Sequence, residues 1–87
     1  MSHVFIPPQL RDVTGGAEHA EANGRRLRDV IDALEQKFPG VSARLLADDR
    51  LAPGLAVSID GELATLGLLS PVGPSSEIHF LPALGGG

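Results

Sequence analysis

Arg26-Leu27-Arg28-Asp29-Val30-Ile31-Asp32-Ala33-Leu34-Glu35-Gln36-Lys37-Phe38 carries the most regular pattern in this chain. Leu27, Val30, Ile31, Leu34 and Phe38 recur at i, i+3, i+4, i+7 and i+11, which lines them along one face of a helix. The spacing predicts a helix over 26–38. Asn23 or Gly24 is placed to cap its start, and Pro39-Gly40 stops it. Arg25, Arg26 and Arg28 stand where the helix dipole disfavours positive charge. Asp29 and Asp32 follow Arg25 and Arg28 by four residues, a spacing that predicts two offsetting ion pairs. The arginine cluster is read as a solvated helix face rather than a basic patch for an acidic partner.

Strand signals lie on both sides of this helix. Val4-Phe5-Ile6 is a short apolar run closed by Pro7-Pro8, a strand whose ladder proline ends. Residues 11–16 have turn composition, and 17–22 predict a weak second strand paired to the first. After the helix, 41–46 predict a second, short helix with Val41, Leu45 and Leu46 inward. Asp48-Asp49-Arg50 and Pro53-Gly54 read as loop. Residues 55–59 predict a strand with Val57 and Ile59 inward. Asp60-Gly61 is a hairpin turn, and 63–66 return as a short strand. Residues 67–76 are rich in Gly, Pro and Ser and predict a loop with one helical turn near Leu68. Residues 77–81 form the last strand, with Ile78 and Phe80 on one side and Glu77, His79 and Leu81 on the other. Pro82 ends it. This order gives an α+β fold with a mixed sheet packed on one main helix, and it suggests a β-grasp. The domain is expected over 1–84, with 85–87 a flexible glycine tail.

Composition narrows the chemistry. With 87 residues there is room for one core. Hydrophobic residues at 43% and charged residues at 21% describe a globular chain. No cysteine is present, which excludes disulfides, thiolate metal sites and a Cys nucleophile on this chain. There is no Trp or Tyr to stack on bases, and a net charge of −4 repels phosphate backbones, so nucleic acid is not an expected partner. The N-terminus has no basic segment followed by an apolar run, and no stretch reaches the length of a membrane span. A soluble, cytoplasmic protein without a membrane partner is expected. His3, His19 and His79 lack ligand spacing, so no metal is expected. Asp48-Asp49 reads as a solvated loop rather than an acid/base dyad. No nucleophile elbow or phosphate-cradling loop is present. The chain has no self-contained active site and is expected not to be an enzyme.

The end of the sequence reads Pro82-Ala83-Leu84-Gly85-Gly86-Gly87. Beyond Leu84 no side chain has a Cβ, so Gly85 and Gly86 can thread a channel too narrow for any side chain. They would present the bare carboxylate of Gly87 to a reagent inside. Adenylation by ATP converts a carboxylate to a mixed anhydride, from which sulfur can displace AMP to leave a thiocarboxylate. That chemistry would belong to partner enzymes, and this chain binds no cofactor of its own.

The chain resembles the MoaD/ThiS family of ubiquitin-like sulfur carriers over nearly its whole length. The resemblance rests on Phe80-Leu81-Pro82-Ala83-Leu84-Gly85-Gly86-Gly87, on Val4-Phe5-Ile6-Pro7 followed by Leu10-Arg11 and Thr14-Gly15-Gly16, on the helix from Leu27, and on Asp60-Gly61-Glu62-Leu63. Ile6-Pro7, Thr14-Gly15-Gly16 and Leu81-Pro82-Ala83 are most similar to the branch serving cysteine biosynthesis. Two positions depart from the family pattern: Arg26 replaces the usual helix cap, and Pro74-Ser75-Ser76 replaces an Asp-Gly-Asp turn. The resemblance implies that Gly87 is adenylated and thiocarboxylated. It implies as partners an E1-like adenylyltransferase and sulfurtransferase using ATP, a sulfur-accepting synthase such as a cysteine synthase, and a zinc-dependent peptidase that releases the product. Strand alternation places Phe5, Pro7, His79 and Leu81 on the open face of the sheet, joined by Leu63. That face is the expected docking patch. The alternatives are the small subunit of molybdopterin synthase and a ubiquitin-like protein modifier, for which Lys37 is the single lysine.

Overall fold

The computed structural model describes residues 1–82. Residues 83 and 84 of the expected domain, and the glycine tail, lie outside the described residues. The elements in chain order are β1 (Ser2–Phe5), β2 (His19–Ala22), α1 (Leu27–Lys37), α2 (Val41–Leu45), β3 (Leu46–Ala47), β4 (Arg50–Leu51), β5 (Leu55–Ile59), β6 (Glu62–Leu63) and β7 (Glu77–Pro82). Short 3-10 turns occupy Pro8–Leu10 and Gly67–Leu69. Five strands form one sheet in the order β2-β1-β7-β5-β6, and β3 and β4 pair separately. The first and last strands are neighbours and run parallel, while every other pair in the sheet is antiparallel. This is the expected β-grasp: a mixed sheet with one main helix across it.

The apolar stripe of α1 explains the packing. Leu27, Val30, Ile31 and Leu34 are fully buried against Val4, Val57, Ile78 and Phe80 from the three inner strands. Val41 and Leu45 of α2 and Leu10 and Leu68 of the two 3-10 turns close the rim of the same core. Phe38, the last member of the stripe, is only half-buried because the helix ends at Lys37 and Phe38 is its C-cap.

The start of α1 differs from the expectation. The cap is neither Asn23 nor Gly24. Asp29 reaches back from the first turn, and its Oδ2 accepts the backbone N–H of both Arg25 and Arg26 at 3.2 Å. Arginine has no acceptor atom, so this is half of a capping box, built from the carboxylate side alone. Asp29 is therefore bound to the backbone, and the expected pairing with Arg25 does not form. Arg28 turns instead to Asp49, 3.6 Å away in the β3–β4 turn, rather than to Asp32. Gly24 has its own reason. A Cβ there would stand 2.6 Å from the Asp29 Cβ and 2.9 Å from the Val30 nitrogen, so only glycine lets the chain pass under the helix start.

Charged side chains fix the connections. Glu35 accepts the N–H of Gly40 and of Ser42 and the Ser42 hydroxyl, and it holds the turn between α1 and α2. These donors, the Gly40 N–H first, keep its carboxyl below the ordinary range. Asp48 and Asp49, read as loop, form a two-residue turn with φ of 51° and 62°, so 46–51 is a second small hairpin. Aspartate tolerates this left-handed backbone better than most residues. Asp60-Gly61 makes the expected turn between β5 and β6, with φ of 52° and 85°. The returning strand is shorter than expected and ends at Leu63.

β7 takes in Pro82, one residue past its expected end at Leu81, and sets it opposite Leu55. The ladder explains why it is tolerated. Asp60 N–H donates to the Glu77 carbonyl at 2.9 Å. Alternation then makes Ser58/His79 and Ala56/Leu81 the bonded pairs and leaves Leu55/Pro82 without a bond that needs the missing N–H.

Candidate functional site

One cross-strand row spans the open face of the sheet. His19 lies opposite Phe5, Phe5 opposite His79, His79 opposite Ser58, and Ser58 opposite Leu63. The row follows from the pleat. Val4, Val57 and Ile78 point to the helix, so their neighbours in sequence point away from it.

The row is aromatic at its centre. The Phe5 ring is stacked on the His79 imidazole with centroids 4.2 Å apart and planes 5° from parallel. On its other side His19 lies at 5.6 Å, tilted by 53°. Contacts of this kind hold a half-exposed ring in one place on the surface. Leu81 follows His79 on the same side of β7 and is 37% exposed, and Leu63 at the far end of the row is 65% exposed. Pro7 continues the extended backbone two residues beyond Phe5, with φ −70° and ψ 157°, and is half-buried. The five residues expected on the open face, Phe5, Pro7, Leu63, His79 and Leu81, thus share one side of the sheet. His19, opposite Phe5, joins them. Its segment lacks strand periodicity, and only its register with β1 puts it beside Phe5.

Acidic groups border the aromatic centre. His3 Nε2 lies 3.9 Å from Glu21 Oε1, and His79 Nε2 lies 3.8 Å from Glu77 Oε1. Ser58, Asp60, Gly61, Glu77, His79 and Leu81 line a shallow depression on this face. Asp60 ties the β5–β6 turn to the start of β7. Its Oδ1 accepts the Glu77 N–H at 2.9 Å and its Oδ2 accepts the Ser76 hydroxyl at 2.8 Å. Those two bonds, the Glu77 N–H first, lower the Asp60 pKa from its ordinary value. His3 and His79 are on the same face but not opposed, because Glu77 faces His3 and Phe5 faces His79. Among the described residues no three His, Asp or Glu side chains are grouped to hold a metal ion. No helix among them is long and apolar enough to cross a membrane. The open face of the sheet is a mixed surface. It combines a fixed aromatic centre, exposed leucines at two edges and an acidic border. Gly85, Gly86 and Gly87, expected to thread and to react, lie outside the described residues.

Known proteins place this architecture. The chain is 33% identical to the sulfur carrier protein CysO of Mycobacterium tuberculosis, over 97% of this chain and 96% of that protein. The crystal structure of the Amycolatopsis orientalis BexX/CysO complex matches with a TM-score of 0.91 at 32% identity, covering 100% of both chains. The small archaeal modifier protein 1 of Haloferax volcanii matches with a TM-score of 0.68 at 26% identity, over 95% of this chain and 97% of that one. The sequence model of the ThiS family matches residues 4–87, and the chain belongs to that family of ubiquitin-like β-grasp proteins.

Proposed function

We propose that this chain is a sulfur carrier, a protein co-substrate whose reacting group is the C-terminal carboxylate of Gly87. The observation that carries the reading is the likeness to a sulfur carrier across nearly the full length of both proteins. The geometry supports it. A central strand, β7, runs to Pro82 beside the open face, and four residues separate it from Gly87.

In the proposed cycle a partner of the E1-like adenylyltransferase type docks on Phe5, Pro7, Leu63, His79 and Leu81. The Gly87 carboxylate oxygen attacks the α-phosphorus of ATP. Pyrophosphate leaves, and an acyl adenylate forms. A sulfide nucleophile then adds to the acyl carbon, AMP leaves, and the terminus becomes a thiocarboxylate. Gly85 and Gly86 let the terminus pass a channel that no side chain fits. The thiocarboxylate sulfur serves the synthesis of cysteine or another sulfur-containing metabolite on an accepting synthase. A zinc-dependent peptidase then frees the tail when the product leaves joined to it.

Intact-mass measurement tests this directly. Incubated with its adenylating partner, ATP and a sulfide source, the chain should gain about 16 Da at its C-terminus, separated from oxidation of Met1 by fragmentation. A chain extended by one alanine after Gly87 should gain nothing. Equal conversion of the extended chain would overturn the assignment of Gly87. The likeness to a small archaeal modifier favours a second reading, conjugation of Gly87 to lysines of other proteins. That reading requires isopeptide-linked adducts in lysate of the native host.

A further inference from the structure

β2 is an outer strand of the sheet, and its ladder decides which of its peptide groups are paired. Ile6 N–H donates to the Glu18 carbonyl at 2.8 Å, and the register continues with Val4 opposite Ala20 and Ser2 opposite Ala22. In an antiparallel ladder the bonded positions alternate. Glu18, Ala20 and Ala22 therefore face β1, and the N–H and C=O of His19 and Glu21 point outward. Such an edge is a template for another strand.

One outward group is already occupied. Lys37, the last residue of α1, lays its ammonium on the Glu21 carbonyl across sixteen positions of sequence. It is the single lysine in the chain. A charged group held at an edge carbonyl repels an incoming strand, because pairing would displace the ammonium and bury its charge.

The edge is complementary to itself. Antiparallel pairing about a two-fold axis through Ala20 sets His19 of each copy opposite Glu21 of the other. On the open face each imidazole then meets a carboxylate, and on the helix side the two Ala20 methyl groups meet without a clash. His19 N–H would donate to Glu21 C=O of the other copy, which is the acceptor that Lys37 holds. We propose that the β2 edge is a latent pairing surface for a second copy of this chain, and that the Lys37 ammonium on the Glu21 carbonyl keeps it closed.

Sedimentation velocity on the full chain over a wide concentration range, with amide hydrogen exchange at His19 and Glu21, tests this. The wild type and Lys37→Arg should remain monomeric, with both amides exchanging freely. Lys37→Met keeps the aliphatic stem and loses the charge. It should lower the dimer dissociation constant by about tenfold or more and protect both amides in the dimer. Adding Glu21→Pro removes an outward N–H that β1 does not use, and should restore the monomer. A monomeric Lys37→Met across the range overturns the proposal. So does a dimer in which the His19 and Glu21 amides stay unprotected, which would place association on another face. A wild type that already dimerises with those amides protected overturns the role of Lys37.

Discussion

Phe5 lies flat on the imidazole of His79, with 4.2 Å between ring centroids. The two residues belong to the first and last strands, which meet only because β1 and β7 run side by side in parallel. The stack therefore joins the two ends of the sequence into one surface. Phe5→Ala should leave the fold in place by circular dichroism and raise the KM of the adenylating partner for this chain. Loss of a central aromatic anchor is worth about 2 kcal/mol or more, roughly a 30-fold rise. An unchanged KM removes the open face as the docking surface.

Ile31 is fully buried in the middle of the α1 stripe. Ile31→Ala leaves a cavity under the sheet and should cost about 2–5 kcal/mol. Urea denaturation should show a lower midpoint with an unchanged slope.

Gly24 is constrained by contact rather than by φ, since an added Cβ would meet the Asp29 Cβ at 2.6 Å. Gly24→Ala should push the start of α1 away and cost about 1–3 kcal/mol. Gly61→Ala makes a useful comparison, because there the space is open and the left-handed φ of 85° is the obstacle. Thermal melts of the two variants separate steric contact from backbone strain.

Acid should destabilise the fold through three carboxylates. Glu35, held by the Gly40 and Ser42 N–H groups, Asp60, held by the Glu77 N–H and the Ser76 hydroxyl, and Asp12, bonded to Arg44, all have lowered pKa values in the folded chain. The unfolded chain takes up these protons first, at the ordinary values of 4.5 for Glu and 3.8 for Asp. Between those values and the lower folded ones the unfolded state binds more protons, so stability falls as pH falls. The urea midpoint should hold above this window and decline through it. Glu35→Gln and Asp60→Asn should each flatten the decline.

Much of this fold is legible in the sequence where burial imposes a period. The stripe of α1 names Leu27, Val30, Ile31 and Leu34, all fully buried, and the alternation in β7 separates Ile78 and Phe80 from His79 and Leu81. That alternation is also what makes the open face readable from the sequence. Legibility fails where a side chain acts at a distance from its neighbours in sequence. Asn23 and Gly24 have capping chemistry, yet the cap is a carboxylate reaching back from inside the helix. Asp48-Asp49 has the composition of a solvated loop, and its left-handed turn shows only in the backbone. His19 sits in a segment of alanine and glutamate without periodicity, so its place beside Phe5 depends on register alone. Pro82 looks like a terminator because a proline in a strand lacks a donor, and it is admitted because the ladder asks for none at that position.

The seating of β7 between β1 and β5 also settles how the body answers a pull. Tension entering at Pro82 runs along a strand bonded on both sides, to a parallel neighbour and to an antiparallel one. The load falls on those ladders in shear, so several bonds must yield together rather than peel one by one. A partner of the proposed kind, gripping the terminus, would therefore tug on it without unravelling the domain behind.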